Sequence, residues 1–332
     1  MRSKVEKIAV LTSGGDAPGM NAAIRAVVRT AIGKGVRVYG VRKGFEGLFE
    51  DEMREMYAES VSGIINRGGT ILQTARCKKM MSAEGCDAAA AYLEKKGIDA
   101  LVVIGGDGSY KGAFELARRG VNVMGLPGTI DLDIGCTEYS IGYGTAVNTA
   151  MEAIDKIKDT SASHERCSIV EVMGRTAGYI ALSAGIATGA EAILMPETYD
   201  YDEDKIIENL IDNKKRGHLQ QIIINAEGIG DSMAMAKRLE AATGIETRAT
   251  ILGYLQRGGS PIARDRIVAS IMGEKAVELL CSGARNRIIA IQKGRFADID
   301  IEEALAMNKE IPKHLVDVAT ALTYHYTKRN SI

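Results

Sequence analysis

The sequence predicts an α/β fold, doubly wound, with largely parallel sheets. Three observations predict it. Short β-rich runs alternate with longer helical patterns from one end of the chain to the other, the order that builds strand–helix–strand units. Runs such as Ala100 to Ile104 are apolar throughout, as strands covered on both faces are. The chain has 332 residues, so two lobes are expected rather than one core.

Lys7 to Leu11 opens as a strand. Asn21 to Ile32 is helical, with Ile24, Val27, Val28, Ala31 and Ile32 on one face. Val36 to Val41 is the next strand, Ala88 to Lys96 a helix, Ala100 to Ile104 a buried strand, Ser109 to Arg118 a helix and Val121 to Leu126 a strand. The second half repeats the alternation. Thr145 to Lys158 is a charged amphipathic helix, Ser168 to Val172 a strand and Ala177 to Ala187 a helix of small residues. Asp202 to Lys215 is a helix, Gln221 to Ala226 a strand, Ser232 to Ala242 a helix and Thr247 to Tyr254 a strand. Ala263 to Leu280 is a long helix, Ile288 to Gln292 a strand, and Pro312 to Tyr326 the closing helix. No Pro-, Ser- or Gly-rich linker separates the lobes.

A net charge of −1 gives no support for nucleic acid or an anionic membrane as partner. No apolar run reaches a membrane span, and the N-terminus passes from a short charged segment straight into a strand, so a cytoplasmic protein is expected. Five scattered cysteines form no CxxC pair and read as free thiols. Cys77, beside Lys78 and Lys79, has a setting that could make it reactive.

Two glycine-rich loops follow strands. Thr12-Ser13-Gly14-Gly15-Asp16-Ala17-Pro18-Gly19 leads into the first helix, and Gly105-Gly106-Asp107-Gly108-Ser109 into the third. Bare backbone at a helix N-terminus suits a phosphate. Neither loop is a P-loop or a GxGxxG fingerprint, so a generic turn is the competing reading. Asp107 could hold a metal beside phosphates or cap the helix. A third stretch, Pro127-Gly128-Thr129-Ile130-Asp131-Leu132-Asp133, carries two carboxylates two residues apart at a strand end. If the backbone stays extended they share one side, and such a pair calls for a cation or proton between them. A solvated acidic loop is the alternative.

Taken together, these motifs resemble the bacterial ATP-dependent 6-phosphofructokinase family. The resemblance includes LTSGGDAPGMNAAIR (11–25), INRGGT (65–70), TAR (74–76), VVIGGDGS (102–109), GLPGTIDLDI (125–134), DTSASHER (159–166), VEVMGR (170–175), ETRATILGYLQRGGSP (246–261) and DRIVAS (265–270), in family order over nearly the full length. It implies the phosphofructokinase fold, with two Rossmann-like lobes: an ATP lobe of 1–142 plus 257–305, and a sugar-phosphate lobe of 143–256 plus 306–332. It implies transfer of the ATP γ-phosphoryl to the 1-hydroxyl of fructose 6-phosphate in a cytoplasmic homotetramer, with Mg²⁺ at Asp107 and Asp133.

The roles it implies are these. Asp131 is the base and Thr129 orients the sugar. Arg76 and Arg175 stabilise the transferring phosphoryl, and Gly15 lies against the nucleotide phosphates. Gly15, Arg76, Cys77, Gly106, Asp107, Gly108 and Ser109 contact ATP. Thr129, Ile130, Asp131, Met173, Gly174, Arg175, Glu227, Tyr254, Leu255, Gln256 and Arg257 contact the sugar phosphate. Arg166 and Arg248 do so from a neighbouring subunit. Relatives that use pyrophosphate carry an acidic residue and a lysine where this chain has Gly108 and Gly128, which favours ATP.

The chain departs from the family pattern at several places. Leu132 replaces an asparagine and Tyr254 a histidine, Phe45 stands for a tyrosine packed on adenine, and Met81 for a basic residue. The stretch Arg175 to Tyr179 lacks the usual cysteine and aspartate. An effector site for ADP or phosphoenolpyruvate is implied at Arg25, Arg29, Lys158, Gly189, Glu191, Arg216 and His218, but Ala58 removes one arginine and Lys158 replaces another, so weak effector control is expected. Kinases of sedoheptulose 7-phosphate or tagatose 6-phosphate, and a low-activity regulatory paralogue, are the alternatives that these departures raise.

Overall fold

The structure, a computed structural model, describes residues 5–197, 202–217 and 220–323. The elements run β1 (Lys7–Thr12), α1 (Met20–Gly33), β2 (Arg37–Val41), β3 (Met53–Met56), α2 (Ala83–Lys95), β4 (Ala100–Gly105), α3 (Asp107–Ala117), β5 (Asn122–Thr129) and β6 (Ile141–Gly142). Next come α4 (Tyr143–His164), β7 (Cys167–Val172), α5 (Tyr179–Thr188), β8 (Ala192–Leu194), α6 (Glu203–Lys215), β9 (Gln221–Ala226), α7 (Ser232–Thr243) and β10 (Thr247–Ile251). The chain closes with α8 (Ala263–Cys281), β11 (Arg287–Gln292), β12 (Arg295–Asp300), α9 (Ile301–Ala306) and α10 (Lys313–Thr323). The end of the closing helix expected at Tyr326 lies outside the described residues.

The chain divides into two compact units, one of Met1–Thr145 with Arg257–Lys309, the other of Ala146–Gln256 with Glu310–Ile332. In the first, the strands stand in the order β12-β11-β5-β4-β1-β2-β3, with β6 beside β5. The inner strands are parallel, in registers such as Val10↔Val102 and Ile104↔Leu126, and β3 and β12 are antiparallel edges. Alternate side chains serve the two faces. Ala9, Leu11, Leu101 and Val103 join Ala89 and Leu93 of α2 and Tyr110, Ala113 and Leu116 of α3 in one core. Helices α1 and α8 pack on each other, close enough that Gly273 meets Ala23 and Ala26 with no room for a Cβ. From β1 the chain moves out to β2, and from β4 it moves the other way to β5. The crevice between β1 and β4 is thus a topological switch point, where ligands bind in open α/β sheets.

The second unit has a four-stranded sheet of order β10-β7-β9-β8, all parallel. Its core joins Cys167, Ile169 and Ile223 to Ile206 and Leu210 of α6 and to Met235 and Leu239 of α7.

Several expectations need correction. β3, β6, β8, β12 and α9 were not expected: β6 and β8 are two and three residues long, and β3 and β12 are polar edges without an apolar run. The strand expected to end at Leu126 continues to Thr129, and the one expected over Thr247 to Tyr254 stops at Ile251 and turns into a 3-10 helix at Gly253–Arg257. Helix α2 begins at Ala83 rather than Ala88, because Ser82 caps it by accepting the Gly85 N–H at 3.1 Å.

The cysteines are free, and Cys86, Cys136 and Cys167 are buried. Burial pushes the Cys136 thiol up to about 11 and the Cys167 thiol up to about 12. Cys77 is also raised, by burial first and by its hydrogen bond to Glu46 second, so the reactive setting suggested by Lys78 and Lys79 is overturned. In the native protein at pH 8, exposed Cys281 is expected to be the first thiol alkylated by iodoacetamide, as read by peptide mass spectrometry. Labelling of Cys136 or Cys167 before Cys281 would contradict this.

Candidate active site

The two glycine loops of the first unit leave the carboxyl ends of neighbouring strands β1 and β4 and lean on each other. The Ser13 N–H donates to the Ile104 carbonyl at 2.9 Å. A Cβ at Gly105 would strike Ser109 Oγ and the Ser13 carbonyl, each at 2.5 Å, so only glycine permits this approach. Asn21, in the first turn of α1, fixes the loop of residues 65–70. Its Nδ2 donates to the Arg67 and Gly68 carbonyls at 3.0 and 3.2 Å, and its Oδ1 accepts from the Ile71 N–H at 2.8 Å. The Thr12 hydroxyl donates to the Gln73 carbonyl at 2.8 Å, and the Thr74 hydroxyl to the Gly14 carbonyl at 2.7 Å. These bonds hold exposed Arg76 and half-buried Cys77 beside the first glycine loop. Arg257 lies over Gly15, where a Cβ would stand 2.0 Å from its Nη1, and donates to the Asp16 carbonyl at 3.2 Å.

Asp107 begins α3, and the capping position belongs to Gly106, whose lack of a side chain leaves the cap unmade. The cap reading of Asp107 therefore fails. Its carboxylate pairs with Lys111 at 2.7 Å and stays partly open to solvent.

At the end of β5, Thr129, Ile130 and Asp131 are buried, with Asp131 3% exposed. The Thr129 hydroxyl donates to Asp131 Oδ2 at 3.3 Å and accepts from the Asp131 N–H at 3.2 Å. This is the local turn that short hydroxyl side chains make with the backbone two residues on. The premise of an extended pair of carboxylates is overturned. Leu132 has a φ of +56°, in the left-handed region, so Asp131 and Asp133 are not related by a strand's alternation. Leu132 is 7% exposed and packs as core, while Asp133 is half-buried.

Lys309 carries no signal in the sequence. Burial pushes its ammonium down to about 8, opposed by the Asp133 carboxylate, and its Nζ donates to the Thr137 carbonyl at 2.7 Å. No motif surrounds this lysine, and only the chain's return to the β5 loop brings it there.

In the second unit, Met173, Gly174 and Arg175 follow β7, and Glu227 follows adjacent β9. Glu227 Oε1 accepts the N–H groups of Gly174 at 3.1 Å and Arg175 at 2.6 Å. Gly174 (φ +143°) and Arg175 (φ +58°) both take positive φ, and a Cβ at 174 would collide with the Ala177 carbonyl at 2.4 Å. The turn throws the Arg175 side chain outward, where it is exposed. Gln256, fully buried, accepts the Met173 N–H at 2.9 Å, while Tyr254 and Leu255 are exposed.

Arg166 and Arg248 lie at the opposite end of the same sheet. Arg166 precedes β7, and Arg248 pairs with Ser168 near the start of β10. Both grip Glu246, at 2.8 and 2.7 Å, and hold its carboxyl below the usual range. The six residues of β7 separate this pair from Met173 to Arg175 by about 20 Å.

The implied effector residues are drawn from both units. Arg25 and Arg29 sit on α1, half-buried and exposed. In the second unit the Lys158 ammonium donates to the Thr188 carbonyl, next to Gly189 at the end of α5. Glu191 Oε2 accepts the Ile222 N–H at 2.5 Å, and Arg216 ends α6. His218 lies outside the described residues.

Two departures and the donor glycines gain a physical reading. Phe45 is 4% exposed and packs in the first unit's core, whereas Met81 is 87% exposed. A side chain at Gly108 would enter open space, but one at Gly128 would meet Ile104 and Met20 at 3.0 and 3.2 Å. Packing behind the strand therefore already constrains the side chain at 128.

Among the described residues no three His, Cys, Asp or Glu side chains gather as a metal cage, and no helix is long and apolar enough to cross a membrane.

Residues 7–280 match the family described as PFK, phosphofructokinase. ATP-dependent 6-phosphofructokinases of Clostridium botulinum and Clostridium acetobutylicum are each 54% identical to this chain, covering 95% and 96% of it and 99% and 100% of the relatives. The solved phosphofructokinase of Saccharomyces cerevisiae superimposes with a TM-score of 0.83 at 36% identity, over 96% of this chain and 48% of the yeast one. A pyrophosphate-dependent phosphofructokinase from Marinobacter aquaeolei, at 23% identity and a TM-score of 0.83, shares the fold.

Proposed function

Because the chain belongs to the phosphofructokinase family, we propose that it transfers the γ-phosphoryl group of ATP to the 1-hydroxyl of fructose 6-phosphate, giving fructose 1,6-bisphosphate and ADP. One observation carries the reading: a buried carboxylate, Asp131, held by the Thr129 hydroxyl at the end of β5, in the same sheet as two glycine loops at a switch point.

Asp131 takes the proton of the attacking hydroxyl, and Thr129 fixes the direction of its carboxylate. The N–H groups of the two loops and the start of α3 receive the nucleotide phosphates. Arg76 and Arg175 meet charge on the phosphoryl oxygens and Arg257 holds the sugar phosphate, so the reaction is positioning plus charge neutralisation. Asp107 and Asp133 would hold Mg²⁺, which takes one or two carboxylates and completes its shell with phosphate oxygens and water. When bound, it would neutralise charge on the β- and γ-phosphates.

Glu227, Met173, Gly174, Tyr254, Leu255 and Gln256 form the sugar side. Arg166 and Arg248, about 20 Å from Met173 to Arg175 by the length of β7, cannot serve the same copy's sugar site. They reach a phosphate held by a neighbouring copy, which makes the working form an oligomer, a tetramer in our reading, acting in the cytoplasm. Two arginines sharing the single carboxylate of Glu246 leave the positive charge such a phosphate needs.

Exposed Tyr254 and the strained Leu132 favour one rival, a kinase of another ketose phosphate. Measuring kcat/KM for fructose 6-phosphate, tagatose 6-phosphate and sedoheptulose 7-phosphate decides. Fructose 6-phosphate is expected to be best, and a clear preference for either other sugar would replace the reading.

A further inference from the structure

The segment opening α8, Asp265 to Ser270, has no part in the chemistry described so far. Asp265 is fully buried. Its carboxylate accepts four hydrogen bonds: from the Tyr139 hydroxyl at 2.8 Å, the Gly142 N–H at 2.9 Å, the Thr145 N–H at 2.8 Å and the Thr145 hydroxyl at 2.5 Å. A buried charge is costly unless its lone pairs are filled, and here about all four are. Arg264 covers the Tyr139 ring at 4.3 Å.

The four donors lie on β6 (Gly142) or beside it (Tyr139 and Thr145), and β6 backs the candidate catalytic turn. Ile141 pairs with Gly128, and Gly142 with Thr129. Ser140, fully buried, donates its hydroxyl to the Thr129 carbonyl at 2.7 Å. Capping α4 would need only the two bonds to Thr145. The bonds to Tyr139 and Gly142 bear instead on the segment that grips Thr129. The Gly19 turn closes the same corner, since a Cβ there would meet Ile141 at 2.7 Å and Asp265 at 3.5 Å.

We infer that Asp265 is a positioning residue for the phosphoryl transfer, holding Thr129 and Asp131 in register through Gly142, Tyr139 and Ser140. The inference rests on the reading of Asp131 as the base. Asp265 touches no substrate; it fixes the backbone from which Thr129 aims the Asp131 carboxylate. Displacements of about 1 Å at such a point cost on the order of 10²-fold in rate.

Three variants test it beside Asp131→Ser. Ser140→Ala removes the bond to Thr129 alone. Tyr139→Phe removes one donor to Asp265. Asp265→Asn puts an amide N–H₂ where an acceptor stood. Each is expected to lower kcat by about tenfold or more, with KM for ATP and fructose 6-phosphate within about twofold. Each is also expected to shift the acid limb of the kcat profile with pH, because the Thr129 bond to Asp131 is disturbed. Ser140→Ala and Tyr139→Phe lose one hydrogen bond apiece, so they keep the test open if Asp265→Asn fails to fold. If Asp131→Ser abolishes activity while Ser140→Ala and Tyr139→Phe keep the native kcat and pH profile, the inference is overturned. If Asp131→Ser itself stays near full activity, the reading of the base falls instead.

Discussion

Asp131→Ser is expected to lower kcat by about 10²- to 10⁴-fold while KM for both substrates changes little. The carboxylate is 3% exposed and held by the Thr129 hydroxyl, so serine fills the place without a large void and keeps a hydroxyl there. What it lacks is a group able to accept the proton as the sugar oxygen attacks. Steady-state kinetics read this directly. Turnover within a few-fold of the native protein would remove Asp131 as the base. The same variant tests the sharing of sites. Oligomers co-assembled from Asp131→Ser and Arg248→Ser chains are expected to regain activity that neither has alone. Some sites in such a mixture unite an intact Asp131 from one copy with an intact Arg248 from another. Mixtures that stay inactive after verified co-assembly would contradict the placing of Arg248 in a neighbour's site.

The second large effect is expected at Arg175. A guanidinium on the transferring phosphoryl is worth about 10³–10⁵ in rate, and Arg175→Ala should lose most of it, in kcat more than in KM. Arg175 already holds a positive φ, with its N–H on Glu227 Oε1 at 2.6 Å. Alanine keeps the same backbone burden and the same bond, so the turn survives and the loss is chemical. Lysine should restore only a small part, since it brings charge without the planar fork. Full recovery by Arg175→Lys would mean that a point charge suffices. A native kcat in Arg175→Ala would take this residue out of the reaction.

The glycine loops were legible because glycine is required where backbone meets backbone. Gly105 against Ser13, and Gly68 against the Gly259 carbonyl at 2.3 Å, leave no alternative residue. The inner strands were legible because both faces are covered and their side chains read as unbroken apolar runs. The edges were not. β3 and β12 are half-exposed and mixed in polarity, so no periodicity marked them. The turn at Leu132 was hidden for another reason. A leucine signals core, which it is, but says nothing of a left-handed φ that asparagine tolerates better. This gives a physical sense to the departure at that position: Leu132→Asn should ease the backbone strain while giving up buried apolar surface. Likewise nothing local tied Lys309 to Asp133, or Arg166 to Glu246. Those meetings depend on how distant segments return to one sheet end.

Turnover of the purified protein with Mg²⁺ and fructose 6-phosphate, comparing ATP with pyrophosphate as donor, decides whether this chain phosphorylates fructose 6-phosphate from ATP. Fructose 1,6-bisphosphate and ADP are expected in equal amounts from ATP, with little product from pyrophosphate. No bisphosphate from ATP, or faster turnover with pyrophosphate, would contradict it.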